Sequence, residues 1–140
     1  MRTLSIGEVA RQTGVRTSAL RYYEAAGVLP PAARAGGRRW YDAAAIRRID
    51  LLRFAQEAGF SLQEIKVLFY GFSNDTPLSA RWQSLARKKL TELERLAAQV
   101  RQMRRALQQA LKCGCIRIED CSLSPVRNLS VQRDRTKASR

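Results

Sequence analysis

Histidine is absent from this chain, and cysteine is confined to three residues near its C-terminal end. Without histidine, a Cys-x-x-Cys pair or an alternation of strand and helix patterns, the sequence lacks what a thiol oxidoreductase needs. A chain of 140 residues is also too short for a large multi-domain enzyme. We therefore expect a protein that is not an enzyme.

Long apolar segments are absent as well. No run of about 18 apolar residues occurs, and the N-terminal MRTLSIGEVARQ is polar and acidic where a secretory signal needs an apolar core. We expect a soluble, cytoplasmic protein that does not bind membranes. In that reducing compartment the cysteines are expected to be free thiols, metal ligands or a redox centre rather than a disulfide framework.

Acidic residues are few: 12 Asp and Glu stand against 26 Lys and Arg, which gives a net charge of +14. Such an excess favours a polyanionic partner. Nucleic acid is the first candidate. An anionic membrane surface is the alternative, which is disfavoured because the basic C-terminal segment has no apolar face.

Two short helices separated by a tight turn are predicted at the start of the chain. Ser5 and Glu8 have the spacing of a capping box, which starts a helix over 4–13, and Gly14 ends it. A second helix covers 17–26. This order is the outline of a helix-turn-helix.

The segment 28–41, VLPPAARAGGRRWY, predicts a small basic hairpin. Its prolines exclude a helix, and Gly36-Gly37 indicates a turn between short extended arms. Asp42 is then expected to cap a third helix over 43–58. A second capping box, at 61–64, starts a fourth helix that ends near Tyr70. Its expected buried residues are Ile65, Leu68 and Phe69.

A long helix is predicted from Leu78 to Leu111, which contains neither Gly nor Pro. At about 1.5 Å per residue it is roughly 50 Å long. Its apolar positions at seven-residue steps are Ala86, Leu93, Val100 and Leu107, with Leu90, Leu96, Ala97 and Met103 between them. The small head cannot cover such a stripe, so we expect a homodimer through residues 78–111, with the two helices antiparallel in a coiled coil.

Phosphate contact needs basic groups with hydroxyl donors on one surface. The second helix supplies such a set, and the hairpin supplies another. The candidates for DNA binding are Arg16, Thr17, Ser18, Arg21, Tyr22 and Tyr23 on the helix, and Arg34, Arg38, Arg39 and Tyr41 on the hairpin. The alternative is that the charges are only solvated and the tyrosines pack in the core, which for Tyr23 has equal weight.

The stretch IGEVARQTGVRTSALRYYEAAGVLPPAARAGGRRWYD closely resembles the winged helix-turn-helix of the MerR family of transcriptional regulators. The resemblance continues through LLRFAQEAGFSLQEIKVLF and the long helix, and Trp40 departs from the aliphatic residue expected there. It implies that Arg21, Tyr22 or Tyr23, Arg39 and Tyr41 contact the DNA backbone. The base edges would be nearest to Arg16, Thr17 and Ser18. It also implies a homodimer on a palindromic promoter site, which distorts the DNA on effector binding so that RNA polymerase can engage.

Cys113, Cys115 and Cys121 lie within nine residues, and soft thiolates at this spacing can converge on one soft ion in trigonal S₃ coordination. The alternative is a capped helix end with small apolar cysteines packed against a partner. An open position beside the thiolates, filled by Glu119, Asp120 or solvent, would distinguish a sensor from a closed structural zinc site.

In the MerR family, effector chemistry is located in this segment, and two subtypes are similar to it. The SoxR type has the pattern CxxCxCxxxxxC and ligates a [2Fe-2S] cluster; here Ala110 occupies the first position, and a cluster normally takes four cysteines. The metal-sensing type has Cys-x7-Cys, which Cys113 and Cys121 match. Its third cysteine, near the start of the long helix, has no counterpart in 76–82, so Cys115 would replace it.

These observations predict a mainly α protein: a winged helix-turn-helix head (1–71), a dimerisation helix (77–112), a cysteine effector loop (113–125) and a basic tail (126–140) without stable structure. The expected function is promoter control in response to a thiophilic metal ion or thiol redox state. A SoxR-like [2Fe-2S] regulator, or a repressor whose cysteines are structural, is the alternative.

Overall fold

The structure, a computed structural model, describes residues 2–125. The elements follow in the order β1 (Thr3–Ser5), α1 (Ile6–Thr13), α2 (Thr17–Ala25), β2 (Ala33–Ala35), β3 (Arg38–Asp42), α3 (Ala44–Glu57), α4 (Leu62–Tyr70), α5 (Leu78–Leu111) and a 3-10 turn (Ile118–Asp120). The predicted mainly α fold, with a winged helix-turn-helix and a long helix, is confirmed. The basic tail predicted at 126–140 lies outside the described residues.

Local bonds fix both ends of α1. The capping box at Ser5 is present, since Glu8 Oε2 accepts the Ser5 N–H at 2.7 Å and Ser5 Oγ accepts the Glu8 N–H at 3.3 Å. At the other end Gly14 has φ of 72°, a left-handed conformation that glycine adopts without strain. Buried Thr13 donates to the Val9 carbonyl at 2.8 Å, which secures the last turn of α1.

A three-stranded antiparallel sheet in the order β1-β3-β2 carries the wing, which we define as residues 33–42. Gly36 and Gly37 both have positive φ, as a two-residue type I′ turn requires. The strand β1 was not predicted, and the expectation that a helix begins at Leu4 is wrong. Leu4 is instead a buried strand residue opposite Tyr41.

Two adjoining clusters form the core of the head. Leu20 and Ile49, both fully buried, belong to the first cluster, which α1, α2, β3 and α3 enclose. Leu52 and Ile65 belong to the second, against which Trp82 of α5 packs. Fully burying such an aliphatic side chain contributes about 1.5–3 kcal/mol, so these clusters hold α2 and the sheet in place.

Two details of the helix predictions need correction. Helix α3 begins at Ala44, with Ala43 rather than Asp42 at the capping position; Asp42 ends β3, and its Oδ1 accepts the Ala44 N–H at 3.0 Å. Phe69 is half-buried rather than buried, and the guanidinium of Arg48 lies 5.8 Å from its ring centre. Ile65 and Leu68 are buried as expected.

Helix α5 has the predicted bounds, and its first turns belong to the head. Arg81 donates to four carbonyls that follow α4 or end it: Leu68 at 3.3 Å, Phe69 at 3.0 Å, Ser73 at 3.3 Å and Thr76 at 3.0 Å. Such bonds satisfy carbonyls that a helix end leaves unpaired.

Lys89 is the one residue of α5 that is buried. Its ammonium bonds Glu64 and Glu92, each at 2.9 Å, and lies 5.1 Å from the centre of the Phe60 ring. The pKa of Lys89 is raised because both carboxylates, Glu92 first, favour its charged form. These bonds join the start of α4 to α5.

The chain divides into two compact units, Met1–Glu92 and Leu93–Arg140, so the first half of α5 belongs with the head. In the second unit, every residue from 93 to 125 except half-buried Cys121 is exposed. None of the helices described between residues 2 and 125 has the length and apolar content needed to cross a bilayer.

Candidate functional site

One face of α2 is exposed and polar, opposite the buried Leu20. Ser18, Arg21 and Tyr22 are exposed on it, whereas Thr17, three residues before Leu20, is half-buried. Tyr22 is 60% exposed. Arg16 precedes the helix as its cap residue and makes no capping hydrogen bond, since arginine has no acceptor. The N-terminal N–H groups of α2 therefore have no acceptor from this side chain.

The wing presents basic residues on both strands. Arg34 on β2 and Arg38 on β3 are exposed. Because successive side chains of a strand alternate in direction, Arg39 and Tyr41 lie on the other face of β3 from Arg38. The register places Arg34 directly opposite Arg39, so Arg34, Arg39 and Tyr41 share one face of the hairpin and Arg38 lies on the other.

Arg39, Tyr41 and Tyr23 make contacts within the head. Tyr41 is 3% exposed, and burial, followed by the hydrogen bond to Glu24, raises its pKa to about 12. Tyr23 is half-buried against both core clusters, and its hydroxyl lies 3.5 Å from Gln56 Oε1. Both tyrosines thus pack inside the head in this structure, whereas Tyr22 is free on its surface.

Glu24 is a functional candidate that the sequence interpretation missed. Its carboxylate accepts hydrogen bonds from the Ala32 N–H and the Tyr41 hydroxyl, each at 3.1 Å, and lies 3.4 Å from Arg39 Nε. The sequence offers one sign of this role: in RYYE, the last turn of α2 carries a carboxylate. Its partners, however, are 8 to 17 residues away and follow from no periodicity.

The three cysteines converge in the loop after α5, and we call Cys113, Cys115 and Cys121 the thiol site. Their Sγ atoms all lie within 4.8 Å of one another, and those of Cys113 and Cys121 are 3.8 Å apart. Three thiolates around one ion at a bond length of about 2.3 Å lie about 4 Å apart in a trigonal plane. These three residues can therefore hold one metal ion together.

Hydrogen bonding among the thiols separates their acidities. The pKa of Cys113 is lowered by its neighbours, first by the Cys115 thiol, then by the Cys115 N–H and the Cys121 thiol, whose sulfur is 3.8 Å away. The neighbouring Cys113 is likewise the main cause that raises the pKa of Cys115 to about 11, and the Cys115 thiol donates to the Asp120 carbonyl at 3.7 Å. The first thiolate therefore forms at Cys113, and a thiolate is the form that binds metals and reacts.

Neither Ala110 nor Asp120 supplies a fourth protein ligand. The side chain of Ala110 is a methyl group, and its carbonyl accepts the Cys113 N–H at 3.2 Å. Both oxygens of Asp120 bind the Arg117 guanidinium, at 3.1 and 3.3 Å, an ion pair that the sequence interpretation did not foresee. The three thiols can hold a metal ion, and they are one fewer than the four cysteines that an iron-sulfur cluster normally takes.

An exposed basic helix beside a basic hairpin defines the class of winged helix-turn-helix DNA-binding proteins. Residues 4–71 match the family described as MerR HTH family regulatory protein, and residues 46–110 match the one described as MerR, DNA binding. The chain belongs to the MerR family, and it is a DNA-binding regulator of transcription.

Named relatives agree with this assignment. The chain is 40% identical over 124 residues to the HTH-type transcriptional activator SoxR homolog of Chromobacterium violaceum, covering 86% of this chain and 82% of that protein. It is 34% identical over 122 residues to the HTH-type transcriptional regulator CueR of Yersinia pestis, covering 86% and 88%.

A solved structure supports the fold. The transcription regulator PbrR691 from Ralstonia metallidurans CH34, in complex with lead(II), has a TM-score of 0.70 to this chain at 23% identity. The likeness covers 88% of this chain and 95% of that one.

Proposed function

We propose that the chain is a homodimeric regulator that binds a palindromic promoter site and senses one thiophilic metal ion per subunit at the thiol site. The carrying observation is the convergence of three Sγ atoms within 4.8 Å on an exposed loop. Because Ala110 and the paired Asp120 add no ligand, we favour an ion that accepts three thiolates over a [2Fe-2S] cluster.

The proposed DNA surface consists of α2 and the wing. Arg16, Thr17 and Ser18, at the start of α2, would lie nearest the base edges; the positive end of the helix dipole also favours phosphate there. Arg21, Tyr22 and Arg38 would contact the backbone. We assign Arg39, Tyr23 and Tyr41 to holding this surface in shape, with Arg39 also near phosphate.

The proposed dimer uses the apolar stripe of α5. Leu93, Val100 and Leu107 recur at seven-residue steps and are 39%, 53% and 67% exposed. A second copy of the same helix would cover them, as the coiled-coil spacing requires. Two heads would then face the two halves of a palindrome, and RNA polymerase would respond to the shape of the bound DNA.

Anaerobic purification followed by metal titration tests the sensing proposal. We expect colourless protein that gains a thiolate-to-metal charge-transfer band on adding lead(II) or mercury(II), saturating at one ion per subunit. A variant with Cys113, Cys115 and Cys121 all changed to Ser should show no band. Brown protein with about two irons per subunit would instead support the SoxR-like alternative.

The function as a regulator needs a separate measurement. We expect footprint protection of an operator upstream of its own gene or of a divergent neighbour. Promoter output should change on adding metal for the native chain and stay constant for the triple Ser variant. Equal response of both proteins would favour the repressor with structural cysteines.

Direct thiol oxidation is a second candidate, favoured by the 3.8 Å separation of the Cys113 and Cys121 sulfurs. A hydroperoxide would take two electrons from the pair: the Cys113 thiolate attacks the peroxide oxygen and becomes a sulfenic acid with release of water or an alcohol. The Cys121 thiol then displaces a second water to form the disulfide. Loss of two hydrogen atoms by mass spectrometry, with blocked metal uptake, identifies this outcome.

A further inference from the structure

The carboxylate of Glu24 is a junction between α2 and the wing. Its side chain is 15% exposed, and it receives the Ala32 N–H before β2 and the Tyr41 hydroxyl on β3. It also lies 3.4 Å from Arg39 Nε, likewise on β3. One side chain of α2 therefore holds the chain before β2 as well as β3 itself.

The position of Glu24 in α2 is unfavourable for the helix taken alone. It lies in the last turn, where the negative end of the helix dipole disfavours a carboxylate and favours a basic residue. Lys or Arg at this place would serve the helix better. The contacts with the wing, rather than helix stability, therefore account for a glutamate here.

Arg39 depends on this junction. Its Nε atom is buried and makes no hydrogen bond within the described part of the chain, although it forms the ion pair with Glu24. The Arg39 side chain is 25% exposed, so without the carboxylate its guanidinium should turn towards water and leave its place. Since Arg39 lies on β3, this movement would disturb the strand that also carries Arg38.

We propose that Glu24 is a positioning residue that fixes the wing against α2, so that the helix and the wing bind phosphates of the same duplex together. The role in DNA binding rests on the proposed DNA surface; the role in wing position does not. Removing the carboxylate should leave α2 able to bind while the wing contacts are lost.

The first experiment needs no DNA. In a Trp82→Phe background, Trp40 on β3 is the remaining tryptophan and reports on the wing. We expect Glu24→Ala to raise acrylamide quenching of Trp40 at least twofold with an unchanged far-UV spectrum. Glu57→Ala, which removes an exposed carboxylate from the end of α3, is the matched control and should leave quenching unchanged. Unchanged quenching in Glu24→Ala overturns the proposal.

The second experiment measures the affinity for an operator duplex as a function of salt. Each phosphate contact contributes about 0.9 to the slope of log affinity against log salt, so losing the wing contacts should reduce the slope by about 1 to 2. Glu57→Ala should keep the native slope. Arg38→Ala should lower the slope in the native chain but have little further effect beside Glu24→Ala, because both changes remove the same contact.

Outcomes of the two experiments separate the two proposals. If Trp40 becomes mobile but the native chain shows no salt-dependent binding, the DNA surface is wrong and the wing role of Glu24 stands. If affinity falls with an unchanged slope, Glu24 has only a structural role and the proposal fails.

Two milder variants cover the case in which Glu24→Ala does not fold. Glu24→Gln keeps an acceptor for Ala32 or Tyr41 but loses the charge opposite Arg39, and Tyr41→Phe removes one hydroxyl only. Both should give part of the change in quenching and slope, with Glu24→Gln the larger. Native values in both would contradict the proposal.

Discussion

The two compact units of this chain differ in whether their apolar side chains are buried. The head, with α1 to α4 and the first turns of α5, buries Leu20, Ile49 and Leu52 completely. In the second unit the apolar residues from Leu93 to Leu111 are exposed by 39% to 86%. The head thus has a core of its own, whereas the described residues 93–125 of the second unit leave an apolar stripe uncovered.

This difference indicates what stabilises each unit. An exposed apolar stripe of heptad spacing is typical of a helix that pairs with another. The head can hold α2 and the wing, the proposed DNA surface, in shape through its own core. The second unit should acquire a defined environment only through assembly, and the following predictions test that contrast.

The largest effect is expected from placing a charge in the stripe. Val100→Arg should convert the dimer to a monomer, because two like charges would face an apolar seam. A monomer binds one half of a palindrome, so operator affinity should fall by about 100-fold or more. Light scattering during size-exclusion chromatography measures the mass.

The control for this change is Ala98→Arg, which adds the same charge two residues earlier, off the seam. It should remain dimeric with native affinity. A dimeric Val100→Arg chain would show that the subunits associate elsewhere.

A second contrast compares the same residue type in the two units. Ile49→Ala should lower the free energy of unfolding of the head by about 2–5 kcal/mol, because it leaves a cavity in a closed core. Ile118→Ala, at a position 90% exposed, should change it by less than about 0.5 kcal/mol. Denaturant unfolding measures both. Equal losses would mean that Ile118 is covered by a second subunit.

A third change adds the ligand that the thiol site lacks. Ala110→Cys restores a fourth cysteine, so anaerobic reconstitution with iron and sulfide should give brown protein with about two irons per subunit. Gln109→Cys, one residue away, should stay colourless. Cluster formation by the unchanged chain would contradict the argument that three cysteines are too few for a cluster.

The smallest effect concerns pH and the head. The pKa of Glu64 is lowered, first by the Ser61 N–H and then by Lys89, so its contribution to stability is full above about pH 4.5 and is lost as the pH falls through the lowered value. Glu64→Gln should therefore be slightly less stable at neutral pH but lose less on acidification. Thermal melts from pH 7 to 3 measure this, with Glu57→Gln as the control that follows the native curve.

Local patterns predicted most of the fold. Capping boxes at Ser5 and Ser61, the Gly36-Gly37 turn and the absence of Gly and Pro from α5 are short-range signals, and the structure agrees with each. The strand β1 escaped prediction because three residues have no periodicity. It exists through pairing with β3, which lies almost 40 residues away.

The candidate site shows the same limit. Spacing alone was enough to suggest that the three cysteines meet, since nine residues cannot separate far. It could not show that the Arg117 guanidinium binds the carboxylate of Asp120. Nor could it show that Glu24 contacts Ala32, Arg39 and Tyr41. Those contacts depend on how the loop and the wing fold back, which only tertiary packing decides.

The hydrogen bonds of Arg81 have a consequence for how the protein binds a polyanion. A guanidinium that donates to four backbone carbonyls has few donors left for phosphate, and Lys89 and Arg117 are similarly committed to carboxylates. The net charge of +14 sets the long-range field that draws a duplex in. The number of counterions released on docking should follow the smaller population of uncommitted cations. Long-range attraction of the duplex and direct contact with its phosphates therefore depend on different sets of basic residues.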